Sequence, residues 1–296
     1  METFPGTNLL TPELHQPLTA EDEAAALGWL NEIITNPPNP IRNVVFVHGW
    51  TLSPEDPGWY QKTAAYLERA CGVTTTVLAM PDTENPNPIE WQKTLDAAVD
   101  CPDTTLVVGH SLGFITALNW AYKKSEENPR FRLAGLASVA GNIDDVGLEE
   151  IHHHFDDINV IQERIARVRR HVGRVTLMYG GYDQFVSPEH GATIARLLGR
   201  PFQLARDQAH FSGPYTTEDG MTIEACDDLP HVQAFLADMI VASDPKRFPK
   251  DATTVILKRD PQTGIWNMPL WLLWSALQGD DDATMLAKME KMRQRN

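Results

Sequence analysis

A serine between two glycines, directly after an apolar run, is the strongest chemical signal in the sequence. Ser111 occupies the G-x-S-x-G pattern of residues 109–113, which follows the run Thr104 to Val108 and precedes a helical pattern. On a sharp turn between a strand and a helix, such a serine projects its hydroxyl above the sheet, and the flanking glycines avoid collisions. In this context the pattern predicts Ser111 as a nucleophile. Without the strand before it and the helix after it, the pattern would indicate no more than a tight turn at the two glycines.

A serine nucleophile requires a general base, and the base requires an acid that orients it. Asp183 follows the apolar run Val175 to Tyr179, and His210 follows the next run, Phe202 to Leu204. Both positions are ends of predicted parallel strands, the edge at which open sheets form sites, and the order Ser, Asp, His suits this turn. We predict Asp183 as the acid and His210 as the base. Asp207, three residues from His210 on the same loop, is the alternative acid.

Acyl chemistry at a serine also needs two backbone donors for the developing oxyanion. The N–H of Leu112 lies at the start of a predicted helix, where unpaired donors and the helix dipole favour negative charge. The loop after the run Val44 to Val47 offers the second donor, the N–H of Trp50, with Thr51 as the alternative. Two histidines of these turns, His48 and His110, are predicted to be structural.

Short apolar runs alternate with helical patterns along the chain and would position these residues. The predicted strands, besides those named above, are Val73 to Ala79 and Leu133 to Val139. The predicted helices, with apolar residues three or four positions apart, are Trp59 to Ala70, Ile89 to Val99, Leu112 to Lys124, Glu189 to Leu198 and Val232 to Val241. This alternation predicts an α/β fold, a mostly parallel sheet flanked by helices.

Three segments interrupt the alternation and divide the chain. We expect an N-terminal helix and Pro-rich linker over residues 1–40, a core over residues 41–241, and a C-terminal extension over residues 242–296. Within the core, residues 142–173 are predicted to form a lid-like insertion over the site. Its helical pattern, Ile158 to Val168, carries Ile161 and Ile165, which we predict to bind the apolar part of a substrate. The alternative is that this stripe packs on the helices of the sheet.

Composition and charge exclude several other functions. The 296 residues, 42% of them hydrophobic, can bury a sizeable core, and the net charge of −15 disfavours binding to nucleic acid or anionic lipid. No segment reaches the roughly 20 apolar residues that a membrane span needs, so we expect a cytoplasmic protein. The apolar segment Met268 to Leu277 is expected to pack on the core, to form an oligomer contact or to line an acyl site.

Metal binding is also not expected. Three cysteines, Cys71, Cys101 and Cys226, are far apart and are predicted to be ordinary buried thiols. The tract His152-His153-His154-Phe155-Asp156-Asp157 pairs His with Asp at helical spacing, but further ligands are missing and such pairs stabilise a helix without metal. The arginines at 164, 167, 169 and 170 are predicted to be a solvated helix face.

These motifs resemble the α/β-hydrolase superfamily, and within it the small serine hydrolases of the retinoblastoma-binding-protein and YdeN type. The resemblance covers residues 41–241 and rests on Val-His-Gly-Trp with Trp59 after it, Met80-Pro81 with Trp91, the Ser111 motif, residues 181–186 and Ala209-His210-Phe211. It implies Ser111 as nucleophile, Asp183 as acid, His210 as base and an esterase-like activity. The chain departs from the family in its additional segments and in Ala209, where glycine is usual.

The sequence therefore predicts a serine hydrolase that cleaves a carboxylic ester, thioester or activated amide through an acyl-enzyme, without a cofactor. Its expected partner is a small-molecule ester. Two alternatives stay open: an acyltransferase that uses the same three residues, and a non-catalytic binding protein with a hydrolase fold.

Overall fold

The computed structural model describes residues 39–198, 200, 202–205, 208–213, 215–216, 222–223 and 226–244. Three predictions fall outside these residues: the N-terminal helix, the alternative acid Asp207, and the C-terminal extension beyond Asp244 with its segment Met268 to Leu277.

A sheet of six parallel strands forms the centre of the described core. The strands are β1 (Asn43–Val47), β2 (Thr74–Val77), β3 (Thr105–His110), β4 (Leu133–Val139), β5 (Val172–Gly180) and β6 (Gln203–Ala205), in the order β2-β1-β3-β4-β5-β6. Every residue of β3 and β4 is buried, because both faces of the sheet are covered. The predicted α/β fold with a parallel sheet is confirmed.

In the part of the chain that the structure describes, six α-helices cover the two faces. They are α1 (Trp59–Cys71), α2 (Pro88–Ala98), α3 (Leu112–Glu127), α4 (Ile158–Val168), α5 (Pro188–Leu198) and α6 (Pro230–Ser243). Helices α1 and α6 pack together on one face, and α2 to α5 pack side by side on the other. Successive side chains of β1 point to opposite faces of the sheet, as in any strand. Val44 packs in the core with α1 and α6, and Val45 packs in the core on the other face.

Local sequence explains where several helices begin and end. The Asn87 side chain accepts hydrogen bonds from the first amides of α2, and Pro88 occupies the first helical position, where its missing N–H costs nothing. Asp157 caps α4 in the same way, by accepting from Asn159 N. Helix α1 ends at Cys71, and Gly72 after it adopts the left-handed conformation with φ of 61°.

Helix α4 lies inside the segment for which a lid was predicted. It connects β4 to β5, two neighbouring parallel strands, so the alternation of strand and helix continues here. Its side chains Ile161, Ile165 and Val168 are fully buried in the core between the sheet and helices α3 and α5. The helix thus serves as a crossover connection, and the lid over residues 142–173 stays a prediction.

Two features of the described chain were not predicted. Two short strands, β7 (Tyr215–Thr216) and β8 (Thr222–Ile223), pair antiparallel with each other, and 3-10 helices occupy Pro102–Thr104 and Glu149–His154. Among the described helices, none has the length and apolar character needed to cross a membrane.

Candidate active site

Ser111 lies on a strained turn between β3 and α3. Its φ of 52° and ψ of −125° place a non-glycine residue in a sparsely populated region, which is typical of functional turns. A Cβ atom at Gly113 would lie 2.2 Å from the Val47 carbonyl oxygen, and one at Gly109 would lie 2.4 Å from Phe114 Cα. The two glycines therefore allow α3 to start against β1 and β3, which presents Ser111 at the sheet edge.

The turn lies where the strand order of the sheet reverses. From β1 the chain proceeds to β2 on one side and later returns to β3 on the other side of β1. Loops after β1 and β3 leave in opposite directions at such a point and open a crevice between them, the usual ligand position in parallel sheets. Trp50 and Ser111 lie on the two loops that border this crevice.

Asp183 and His210 form a direct hydrogen-bonded pair. The Nδ1 of His210 lies 2.8 Å from Oδ2 of Asp183, and the Asp183 side chain is fully buried. The other carboxylate oxygen accepts hydrogen bonds from the backbone amides of Phe185 and Val186, at 2.9 and 2.8 Å. Because a carboxylate only accepts, Nδ1 carries the proton, and Nε2 of His210 is left with a lone pair.

Strand β5 holds the loop that carries His210. The Tyr182 amide donates to the Gln208 carbonyl at 2.9 Å, and a Cβ atom at Gly180 would lie 2.0 Å from the Ala209 carbonyl oxygen. Only a glycine at position 180 permits this approach. The two loops that were predicted to carry acid and base therefore lie against each other.

Ser111 is connected to His210 through its neighbour in the chain. The His110 ring hydrogen-bonds through Nε2 to the His210 carbonyl at 2.8 Å, and the two rings lie 5.2 Å apart. Within the described residues, no hydrogen bond joins the Ser111 hydroxyl to His210. Nucleophile and base commonly make a looser contact before substrate is bound.

The loop after β1 carries Trp50 and its alternative Thr51, one of which was predicted to be an oxyanion donor. The amide of Thr51 donates to the Thr83 carbonyl at 3.0 Å, so it is already used. His48 supports this loop: its Nδ1 donates to the Gly49 carbonyl at 2.9 Å, and its Nε2 accepts from Met80 N at 3.1 Å. This favours Trp50 over Thr51 as one donor. Leu112, the first residue of α3, supplies an amide without an intrahelical acceptor.

Several other predicted residues do not take part in this constellation. Ile161 and Ile165 lie in the core, which favours the alternative that their stripe packs on helices, and their role in substrate binding stays a prediction. Of the four arginines, Arg167 and Arg170 are exposed as predicted, whereas Arg164 and Arg169 are half-buried; Arg164 pairs with Asp156 and Arg167 with Glu126. Cys71 is buried, but Cys101 is exposed and Cys226 is half-buried, so the expectation of three buried thiols is wrong for the last two.

The three histidines of the tract make hydrogen bonds to other groups of the protein. His152 bonds to Asp145 at 2.5 Å, and the Nε2 atoms of His153 and His154 both lie on the Pro86 carbonyl, at 2.5 and 3.0 Å. The three histidines end the 3-10 helix Glu149–His154 and α4 starts only at Ile158, so the helical His–Asp pairs predicted from spacing do not form. Across the described part of the chain, no cluster of three or more His, Cys, Asp or Glu residues could hold a metal ion.

Burial lowers the pKa of four histidines of the described core. It lowers the pKa of His48, lowers that of His110 well below its usual value, and lowers that of His154 to about 4. Burial also lowers the pKa of His190, although the negative charges of Asp144 and Asp183 raise it. His210 contacts the carboxylate of Asp183 directly, which distinguishes it from His48, His110 and His154.

Sequence reasoning missed two sets of residues near His210. Phe185 places its ring 5.3 Å from that of His210 and, like Tyr182, is exposed beside Asp183. Trp59 and Tyr60, at the start of α1, are fully buried and bond to the His210 loop and to His110. The position of Phe185 two residues after Asp183 could have indicated the first set, whereas the second depends on tertiary contacts.

Comparison with known proteins identifies the family and the fold of the chain. The serine hydrolase family model matches residues 44–216, more than half of the chain. The crystal structure of the ydeN gene product from B. subtilis is similar with a TM-score of 0.54 and 22% identity, over 67% of this chain and 98% of that one. A putative YdeN-like hydrolase from Pectobacterium atrosepticum shares 14% identity over 76% of this chain and 99% of its own, with a TM-score of 0.45. No curated protein matches the sequence.

The family match includes the turn of Ser111, the loop of Asp183 and the loop of His210. The YdeN structure shares the fold. The chain therefore has an α/β-hydrolase fold and belongs to the serine hydrolase family.

Proposed function

We propose that the protein hydrolyses a carboxylic ester through a covalent acyl-enzyme on Ser111. The observation that carries this proposal is the 2.8 Å hydrogen bond between His210 Nδ1 and Asp183, on a loop whose backbone bonds to the residue before Ser111. The bond fixes the tautomer in which His210 Nε2 can accept a proton. The strained Ser111 turn supports the same role, because it holds the hydroxyl at the sheet edge.

In the first half of the reaction, Ser111 Oγ attacks the carbonyl carbon of the ester while its proton passes to His210 Nε2. The negative charge moves to the carbonyl oxygen, which the amides of Trp50 and Leu112 are proposed to bind. The C–O bond to the alcohol then breaks, and His210 returns its proton to the leaving oxygen. Asp183 stabilises the imidazolium between these two steps.

In the second half, water replaces the alcohol. His210 removes one proton from the water, whose oxygen attacks the acyl carbon, and the proton goes to Ser111 Oγ as the ester bond to the enzyme breaks. The products are a carboxylic acid and the regenerated serine. Every step uses groups of this chain, the substrate and water.

Labelling with a fluorophosphonate probe tests the nucleophile directly. We expect one equivalent of probe per chain by intact mass, with the adduct on the peptide that contains Ser111, and hydrolysis of short p-nitrophenyl esters by the same preparation. Absence of both labelling and hydrolysis would contradict the proposal and favour a binding protein with a hydrolase fold.

The class of acyl substrate is tested with matched leaving groups on one acyl chain. We expect oxygen esters to react with higher kcat/KM than the corresponding thioester or anilide. Products are analysed with and without an added primary alcohol. If ester exchange exceeds acid release at low alcohol concentration, the protein is an acyltransferase.

A further inference from the structure

Two successive carbonyls of the His210 loop are bonded by buried side chains from distant parts of the chain. The His210 carbonyl accepts from His110 Nε2, and the Phe211 carbonyl accepts from Trp59 Nε1, both at 2.8 Å. Phe211 has a positive φ of 56°, a conformation that a bulky residue keeps only when its surroundings impose it. These two donors therefore fix the backbone of His210 and Phe211.

The tautomer of His110 follows from its two partners. Its Nε2 faces a carbonyl oxygen, which can only accept, so Nε2 carries the hydrogen. Its Nδ1 then has a lone pair and accepts from the Tyr60 hydroxyl at 2.5 Å. In the other tautomer, the Nε2 lone pair would face the carbonyl oxygen, and the bond to the His210 backbone would be lost.

Tyr60 is placed to enforce this tautomer. Its side chain is fully buried, and burial raises the pKa of Tyr60 well above its usual value, while a backbone hydrogen bond from Gly49 acts in the opposite direction. Because Nδ1 of His110 has no hydrogen in this tautomer, the Tyr60 hydroxyl donates its hydrogen to it at 2.5 Å. The phenol thus joins α1 to the turn of Ser111 and, through His110, to the loop of His210.

His110 also remains uncharged next to the reacting groups. Burial, followed by the charge of His210, holds the pKa of His110 well below its usual range. A neutral His110 can lie 5.2 Å from the His210 ring while that ring takes up a proton.

We propose that Tyr60 and His110 are positioning residues, which hold the His210 backbone so that its imidazole meets Ser111. The inference rests on the proposed function, since it assigns a role in the same reaction. Asp183 holds the ring of His210, and the Tyr60–His110 pair holds its main chain. Loss of the second support displaces the base from the near-attack position and slows proton transfer, but leaves the substrate pocket unchanged.

Tyr60→Phe in the full-length protein tests the first half of this proposal. We expect kcat on a p-nitrophenyl ester to fall about tenfold to a hundredfold, because displacements of about 1 Å have effects of this size. KM should stay within about threefold, and the fluorophosphonate rate should fall in parallel with kcat. Tyr66→Phe, on the same helix but with a half-buried side chain, is the matched control and should stay within about twofold of wild type.

His110→Gln and His110→Leu separate tautomer control from simple packing. A glutamine amide can donate to the His210 carbonyl and has no tautomers, so His110→Gln should keep more activity than His110→Leu. In the glutamine background, Tyr60→Phe should cost under about threefold, against the larger loss in wild type. A hydroxyl that serves only packing would cost the same in both backgrounds, and that additivity would overturn the inference.

The outcomes separate this inference from the proposed function. If wild-type protein neither binds the probe nor hydrolyses esters, the proposed function fails. If wild type reacts and Tyr60→Phe reacts equally fast, only the inference fails. Should Tyr60→Phe melt too low to assay, the comparison of His110→Gln with His110→Leu decides alone, and equal activities would reject the role of the donor.

Discussion

Ser111 has a backbone conformation that costs energy, and it keeps this conformation because two glycines and the β4 strand surround it. The Ser111 amide donates to the Val139 carbonyl at 3.0 Å, so the turn is anchored to the sheet independently of the side chain. The hydroxyl can therefore be removed without loss of the turn.

Ser111→Ala should fold with the melting temperature of wild type and lose nearly all hydrolysis of a short p-nitrophenyl ester. Removal of the nucleophile typically costs several powers of ten in kcat, because no acyl-enzyme can form. Activity and fluorophosphonate labelling are measured on the same preparation. Retention of more than about a tenth of wild-type activity would exclude Ser111 as the nucleophile.

Asp183→Asn should lower kcat by roughly 10³ to 10⁴, because an amide donor at this position favours the wrong tautomer of His210. Asp207→Asn should cost less than about tenfold, since the 2.8 Å bond to His210 comes from Asp183. Both variants are compared by kcat at saturating ester. The reverse ranking would assign the acid to Asp207.

At the residue scale, the sequence was sufficient for groups that follow a strand and insufficient for groups that meet through the core. Ser111, Asp183 and His210 each come after an apolar run, so their common edge was predictable. Tyr60 contacts His110 across 50 positions, and Trp59 contacts Phe211 across 152, with no local pattern to indicate either bond. The preference for Trp50 over Thr51 as the proposed donor likewise depends on the bond from Thr51 to Thr83.

At the element scale, helix α4 shows what an amphipathic pattern can and cannot specify. The pattern gave the bounds of the helix correctly, from Ile158 to Val168, because its apolar residues recur at helical spacing. It could not specify which partner covers the apolar face, since a lid and a crossover helix both need one. In the structure, the core between sheet and helices covers Ile161, Ile165 and Val168.

Ile161→Val combined with Ile165→Val should lower the free energy of unfolding by about 1–3 kcal/mol, the cost of two buried methyl groups. Esters of short and medium chain length should be affected alike. The control Ile158→Val, on the same helix at a side chain that is 39% exposed, should change stability little. A selective loss on medium-chain esters at unchanged stability would instead support the substrate-binding role of the pair.

The bounds of strands that are buried on both faces were predicted most accurately. The bounds of short strands, at the sheet edge or outside the sheet, were predicted least accurately. The bounds of β4 were predicted to the residue, because every position from Leu133 to Val139 is buried and apolar or small. Strand β2 is shorter than its apolar run, since it pairs only with β1 at the sheet edge. The antiparallel pair of β7 and β8 has two residues a strand, too few for any period.

On the scale of the whole molecule, the two ends of the described core are joined at the edge of the sheet away from Ser111. The Ile41 amide donates to Ser243 Oγ at 2.8 Å, Arg42 pairs with Asp244 at 2.7 Å, and Arg174 donates to the Ala242 carbonyl at 2.7 Å. These residues lie at the amino ends of β1 and β5 and at the end of α6. Loops at the carboxyl ends of the strands are thus left to form the site.

We expect the buried histidines to make the whole fold sensitive to mild acid. For His154, burial lowers the pKa from 6.5 to about 4 in the folded protein. The unfolded chain therefore binds more protons below pH 6.5, so the stabilisation is complete above that pH and decreases as the pH falls towards 4. His48, His110 and His190 act in the same direction, because burial lowers each pKa. The lowered pKa values of Asp96 and Asp145 act only below their ordinary value of 3.8.

We therefore expect the free energy of unfolding in urea to decrease between pH 7.5 and pH 5, with about 2 kcal/mol of the loss due to His154 alone. The net charge of −15 opposes this trend, because self-repulsion weakens as protons bind, so the measurement is made in roughly 0.3 M salt. His154→Gln keeps a donor for the Pro86 carbonyl and cannot titrate. Its stability should decrease by about 2 kcal/mol less than that of wild type over the same range. An equal decrease in both proteins would mean that His154 does not carry this acid sensitivity.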